Sequence, residues 1–175
     1  MDCKWIKKNA HVVYGTNGLC LVENVCEMAF SAGEPQKTYF ILRPIADRGS
    51  TIYIPHDNEL LLSRLRPAFT EKQAKDLLAK GSISEMEWIE DRKQRLLSFR
   101  EILQQNQPLS LLQLIHCIGT QRDALILINK KLSNADREIL SDALRAVTEE
   151  LSFALALPRD EVVTQISQAL SIELP

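Results

Sequence analysis

One-sided charge is missing from this chain. Its 21 Lys and Arg stand against 23 Asp and Glu, a formal net charge of -2, which excludes a uniformly basic coat for nonspecific nucleic-acid binding but leaves local patches open. Divided at Pro67, the front holds 8 basic and 7 acidic residues and the back 13 and 16, so neither half is polarised. Long apolar runs are missing too. The most apolar stretch, LSLLQLIHCIGTQRDALILI, is interrupted by Arg122 and Asp123, and the opening MDCKWIKKNA lacks the apolar centre of a signal peptide. A soluble, unexported, cytoplasmic protein without membrane contact is the expectation. Cysteine is sparse: Cys3, Cys20, Cys26 and Cys117 include no C-x-x-C pair and no nearby histidine pair at zinc-ligand spacing. Buried apolar thiols in a reducing compartment account for them better than disulfides or a metal.

Patterns that carry chemistry are equally thin. His116 adjoins Cys117, but neighbouring residues on a helix point about 100° apart and cannot serve each other as base and nucleophile. His56-Asp57-Asn58 follows Pro55, where Asp or Asn caps a turn, and His11 stands alone in a strand-like run. The chain has no Gly-rich phosphate loop and no carboxylate cluster at metal spacing. No catalytic residue, cofactor, metal or small-molecule substrate is expected.

What is there divides at Arg66-Pro67. In front, HVVYGTNGLCLVENV is β-branched and aromatic around the turn Gly15 to Gly18, which reads as a hairpin. A second pair follows: TYFILRPI from Thr38, the turn ADRGS, then TIYIP ending at Pro55. Four or five short strands within about sixty residues suggest a small, bent antiparallel β-barrel, Tudor/SH3-like. Behind the break, Leu, Ile and Ala recur at helical spacing between charged residues. The fold class expected is α+β, with a β-barrel over residues 1–68 and an all-α bundle over residues 69–175.

In the back half, a first helix is expected from Glu71 after Thr70, terminated by Gly81. A second should start near Ser84, where Glu85, Glu87, Glu90 and Asp91 suit a positive helix end, and run through Leu103 to a stop at Asn106 and Pro108. A third begins at Leu109 with a break at Gly119. Ser133 caps a fourth that keeps its apolar period to Pro158, and DEVVTQISQAL forms a last short one.

In order along the front half, Val12-Val13-Tyr14, a turn ending in Gly18, Leu21-Val22-Glu23, the run Tyr39 to Arg43, the run Thr51 to Pro55 with Asn58, and Leu65-Arg66-Pro67 resemble the polymerase-interacting domain of the CarD family. Transcription-repair coupling factors share that domain. A lone Trp88 opening a charged helix, and L-S-x-x-D-R-E-I-L from Leu132 continuing to E-E-L, are similar to the helical half of stand-alone CarD-type regulators. The resemblance implies a bacterial transcription regulator with no enzymatic activity. Its barrel docks on the β subunit of RNA polymerase, and its helical half touches promoter DNA at the upstream edge of the melted bubble. There a tryptophan wedges into the minor groove and slows bubble collapse, an apolar insertion whose unstacking cost of about a few kcal/mol is offset by added contacts.

Carried over by position, Trp88 is the wedge, with Arg92, Lys93 and Arg95 as its basic neighbours. On a helical wheel Trp88 also lies at the edge of the apolar arc of Ile89, Leu96, Phe99 and Leu103, so packing in the core or a domain interface competes with the DNA reading. Arg92 falls near the centre of that arc, as an outward overhang or a snorkelling side chain would place it. Glu90 and Asp91 beside the tryptophan repel phosphate, so DNA binding should be weak and dependent on tethering by polymerase. For polymerase, the strand Thr51, Ile52, Tyr53 to Pro55 and its neighbour form the expected docking edge, with Arg43 and Arg48 supplying charge nearby. Tyr53 stands where some relatives place an arginine, as an amphipathic anchor rather than a charge partner. A protein-only adaptor, binding polymerase or another protein without DNA contact, is the rival reading.

Overall fold

Alternation of apolar and polar residues builds the front of the molecule strand by strand. The computed structural model describes residues 5–29, 35–47, 49–79 and 83–174; Cys3, Arg48 and Gly81 lie outside the described residues. The chain forms two compact units, Met1–Ala68 and Phe69–Pro175.

In the first unit, β1 (His11–Tyr14) passes through a single 3-10 turn, Gly15–Asn17, into β2 (Leu19–Met28). Gly15 and Gly18 both have positive φ, 46° and 67°. Proline is locked near -65° and cannot occupy either position, so this turn depends on its glycines. β3 (Lys37–Pro44), β4 (Ile52–Pro55), the four-residue helix α1 (Glu59–Leu62) and β5 (Leu65–Pro67) follow. Pairing is antiparallel throughout, in the order β4-β3-β2-β1-β5. On β3, Phe40 and Leu42 point into a core with Val12, Cys20, Val22 and Ile54, while Tyr39, Ile41 and Arg43 take the other face. A register shift between Val22 and Asn24 bends β2 across its pairing with β3.

The sheet is five-stranded and open, not a closed barrel: among the described residues, β4 and β5 each pair on one side only. Between them the chain forms the helical turn α1, capped by Asn58, whose side chain accepts from the Leu61 amide at 3.1 Å, and β5 has only three residues. Neither edge is long enough to present an extended ladder to the other.

The second unit is all helix. Thr70 and Gln73 form a reciprocal capping box at the start of α2 (Glu71–Leu78). The next helix, α3, covers Arg92–Gln105 and stops where Asn106 turns left-handed at φ 48°. α4 (Pro108–Leu127) has proline in its first turn, where the missing amide costs nothing. α5 (Asn134–Leu155) starts from the Ser133 cap, and α6 (Arg159–Leu170) follows Pro158. Phe99, Leu112, Leu114, Ile115, Ile118, Leu151 and Ile166 are fully enclosed where these helices meet.

Two helix expectations change. α4 runs unbroken through Gly119, whose lack of a side chain serves packing instead: a Cβ there would lie 2.5 Å from Ile172 Cδ1. The second helix starts at Arg92, not near Ser84, and residues 83–91 are non-helical. Asp91 accepts the Gln94 amide at 2.8 Å, and Arg95 Nη1 donates to the carbonyls of Ile89 and Glu90 at 2.7 and 3.1 Å. Those carbonyls, and the Gln94 amide, are groups that a continuous helix would have to pair internally.

Candidate functional site

Strand alternation sorts the front-unit candidates onto two faces. On β4, Ile54 is enclosed and Ile52 packs against the core, so Ile52 holds the strand in place rather than offering a contact. Tyr53 points the other way and is 41% exposed, opposite Ile41 of β3. Thr51 and Arg43 are exposed beside it, and these three side chains line one shallow depression together with Lys8, Glu23, Asn24 and Ile41. Pro55 ends the strand half-buried, paired with Tyr39. Arg48 lies outside the described residues.

The depression carries both signs of charge. Arg43 Nη2 meets Glu23 Oε1 at 2.6 Å, an exposed pair that holds the guanidinium over the sheet at little gain in stability. At the other end of β3, Lys37 Nζ meets Asp57 at 2.8 Å, and this bond to Lys37 holds the Asp57 carboxyl below its ordinary range. Asp47 closes the β3–β4 turn by accepting from the Ser50 hydroxyl and, at 3.2 Å, from the Gly49 amide, and its carboxyl is lowered by the Ser50 bond first. The result is an amphipathic strand edge that exposes an aromatic side chain beside an arginine held by Glu23, with β4 last in the strand order among the described residues. Lys8, Glu23 and Asn24 were not anticipated. The cross-strand charge complement of Glu23 and Arg43 was a legible signal, but the register shift before Asn24 was not.

The four helical-unit candidates part company. Arg92 and Lys93 are exposed in the first turn of α3. Cations there oppose the helix dipole, so stability of α3 does not explain them. Arg95 is a correction. It is 7% exposed and its guanidinium is committed: Nε and Nη2 donate to Asp136 at 3.2 and 3.3 Å, and Nη1 to the carbonyls of Ile89 and Glu90. A buried arginine with this many bonds cannot also reach phosphate, so it leaves the set of contact residues.

Trp88 does not open the helix but precedes it, half-buried, with one ring face covered by the Arg95 guanidinium at 4.2 Å and its edge contact to Phe99 at 5.9 Å. Around it Glu85, Glu87, Glu90 and Asp91 are exposed, so the surface beside Arg92 and Lys93 is acidic. Asp136, which orients Arg95 from α5, was read from the sequence only as part of a motif. Nothing in the local pattern links it to a tryptophan so far back in the chain.

The remaining titratable groups are dispersed. Burial pushes the Cys117 thiol up to about 11, and among the described residues no three His, Cys, Asp or Glu side chains gather in a way that could hold a metal ion. No helix among them is long and apolar enough to cross a membrane. Compared with known families, residues 6–66 match the CarD-like/TRCF RID domain. That span includes Arg43, Thr51 and Tyr53 and ends before the helical unit. No curated protein matches the chain.

Proposed function

Since the chain is a CarD-like family member by its front unit, and that domain ties it to RNA polymerase interaction in transcription regulation, we propose that it is a bacterial, cytoplasmic regulator that docks on the polymerase β subunit and adjusts the lifetime of promoter open complexes. The observation that carries this reading is the family match over residues 6–66 together with the exposed side chains of Tyr53 on edge strand β4, Thr51 just before it and Arg43 on the neighbouring β3, which line one depression. The five strands are taken as the Tudor-like module of that family, left open between β4 and β5. Docking proceeds by side-on contact or by adding a polymerase strand to β4, with Tyr53 as the anchor.

The helical unit then supplies the DNA contact. Trp88 wedges at the upstream edge of the bubble, and Arg92 and Lys93 face the backbone. Two phosphate contacts amid four carboxylates give little intrinsic affinity, so the tether to polymerase provides the effective concentration that binding requires. A gain of about 1.4 kcal/mol in the open complex already changes its equilibrium tenfold.

The full chain is expected to co-elute with core RNA polymerase of the same organism, and Tyr53→Ala to abolish co-elution while changing stability by less than about 0.5 kcal/mol, as for an exposed site. Trp88→Ala should leave co-elution intact and shorten the open-complex lifetime. Absence of co-elution at micromolar concentration would sink the reading at its first step. The acidic surround of Trp88 favours a second reading, an adaptor that binds polymerase without touching DNA; it is selected if Tyr53→Ala alters transcription and Trp88→Ala does not.

A further inference from the structure

We infer that Asp136 is a positioning residue for Trp88: from the first turn of α5 it fixes the Arg95 guanidinium, which in turn fixes both the indole and the backbone beside it. The functional part of this inference rests on the reading of Trp88 given above; the structural part does not.

Trp88 lies in a stretch with no helix or strand to hold it, and side chains from the bundle do that work instead. Gln113 Nε2 of α4 donates to Ser84 Oγ at 2.6 Å, and Arg95 Nη1 takes the carbonyls of Ile89 and Glu90. The same guanidinium lies over the Trp88 ring at 4.2 Å, so one planar group sets the ring face and the two peptides after it. Nothing in α3 itself dictates the rotation of that plane. Asp136 does, by accepting from Nε and Nη2 on two different oxygens, the fork geometry that only a carboxylate supplies.

Asp136 is in turn fixed. It is 2% exposed, its Oδ2 accepts from Ser133 Oγ at 2.7 Å, and its amide donates back to that hydroxyl at 3.2 Å. The cap of α5 and the presentation of Trp88 therefore share one carboxylate. An aromatic that must enter a stack in one orientation gains from being held in it beforehand.

The test uses the full chain with Trp5→Phe, which leaves Trp88 as the sole tryptophan. Asp136→Asn keeps the size and one acceptor but turns the other oxygen into a donor facing Arg95. Arg95→Lys keeps a charge for Asp136 while removing the plane that lies over the indole. Each is expected to red-shift Trp88 emission, raise its acrylamide quenching about twofold, and speed amide exchange over residues 84–91, at temperatures where the bundle is still folded. A merely stabilising Asp136 would lower the melting temperature without moving the Trp88 signal below it. On polymerase, both variants should shorten the open-complex lifetime toward that of Trp88→Ala.

Unchanged emission, quenching and exchange in either folded variant overturns the inference. Should Asp136→Asn not fold, Arg95→Lys decides alone on the same readouts. A loosened Trp88 with lifetimes that neither these variants nor Trp88→Ala alters would uphold the positioning and reject the DNA wedge.

Discussion

At the scale of single residues, burial decides which polar groups act outward and which hold the fold. Arg92 and Arg95 are indistinguishable as letters, yet one is exposed and the other is a buried strut between α3 and α5. Periodicity puts Arg92 near the centre of the apolar arc, but α3 begins at that residue and its side chain stays exposed, while Arg95 is buried by Asp136, a partner on α5 that no wheel of α3 contains. Glu149 shows burial working against the fold. Its Oε1 is enclosed with no hydrogen-bond partner among the described residues, and burial raises its carboxyl above the ordinary 4.5, with Arg159 and Arg145 opposing. A raised carboxyl costs nothing below 4.5, where both folded and unfolded forms are protonated; the cost grows as pH rises from 4.5 and is complete once pH exceeds the folded-state value. Glu149→Gln is therefore expected to raise the melting temperature at pH 7 and to leave it unchanged at pH 3. Thermal melts at the two values check this, and a destabilised variant at pH 7 would show that the ionised carboxylate is satisfied after all.

At the scale of elements, caps and turns were the most legible features and closure the least. Gly18, Thr70, Ser133 and Asn106 stand at the turn, caps and stop that their chemistry suggests, since the turn or cap bond of each is made to atoms within a few residues of itself. Whether β4 meets β5 depends on how far β2 bends at the Val22/Asn24 shift, which no residue type announces. Gly119 was misread for a related reason: its partner, Ile172, comes from the far end of the chain. That pairing makes a signed prediction. Alanine in mid-helix should gain about 0.5–1 kcal/mol over glycine, but here the new Cβ forces Ile172 off its rotamer at a cost of similar size, about 0.5–1.5 kcal/mol. Gly119→Ala alone should be near neutral. In an Ile172→Val background, which removes Cδ1, the same change should stabilise, and urea titrations of the double-mutant cycle would read the difference.

At the scale of the whole molecule, near-zero net charge and the pairing of Arg95 with Asp136 limit what the protein can do without a partner. With Arg92 and Lys93 as the remaining candidate cations beside Trp88 among the described residues, the chain alone should bind duplex DNA weakly, with a log–log salt slope no steeper than about -2. Mobility shifts at several salt concentrations measure it, and tight, salt-resistant binding would contradict the tethering argument. The buried thiols have a different consequence. Cys20 is enclosed in the sheet core and Cys117 in the helical core, the latter also held protonated by burial, whereas Cys26 is half-exposed. Among the cysteines of the described residues, a thiol reagent should mark Cys26 at once and reach Cys20 and Cys117 only when their cores open. Each unit thus contains a clock of its own, and a mass-resolved labelling time course would read the lifetime of the sheet from one cysteine and that of the bundle from the other, in the same tube.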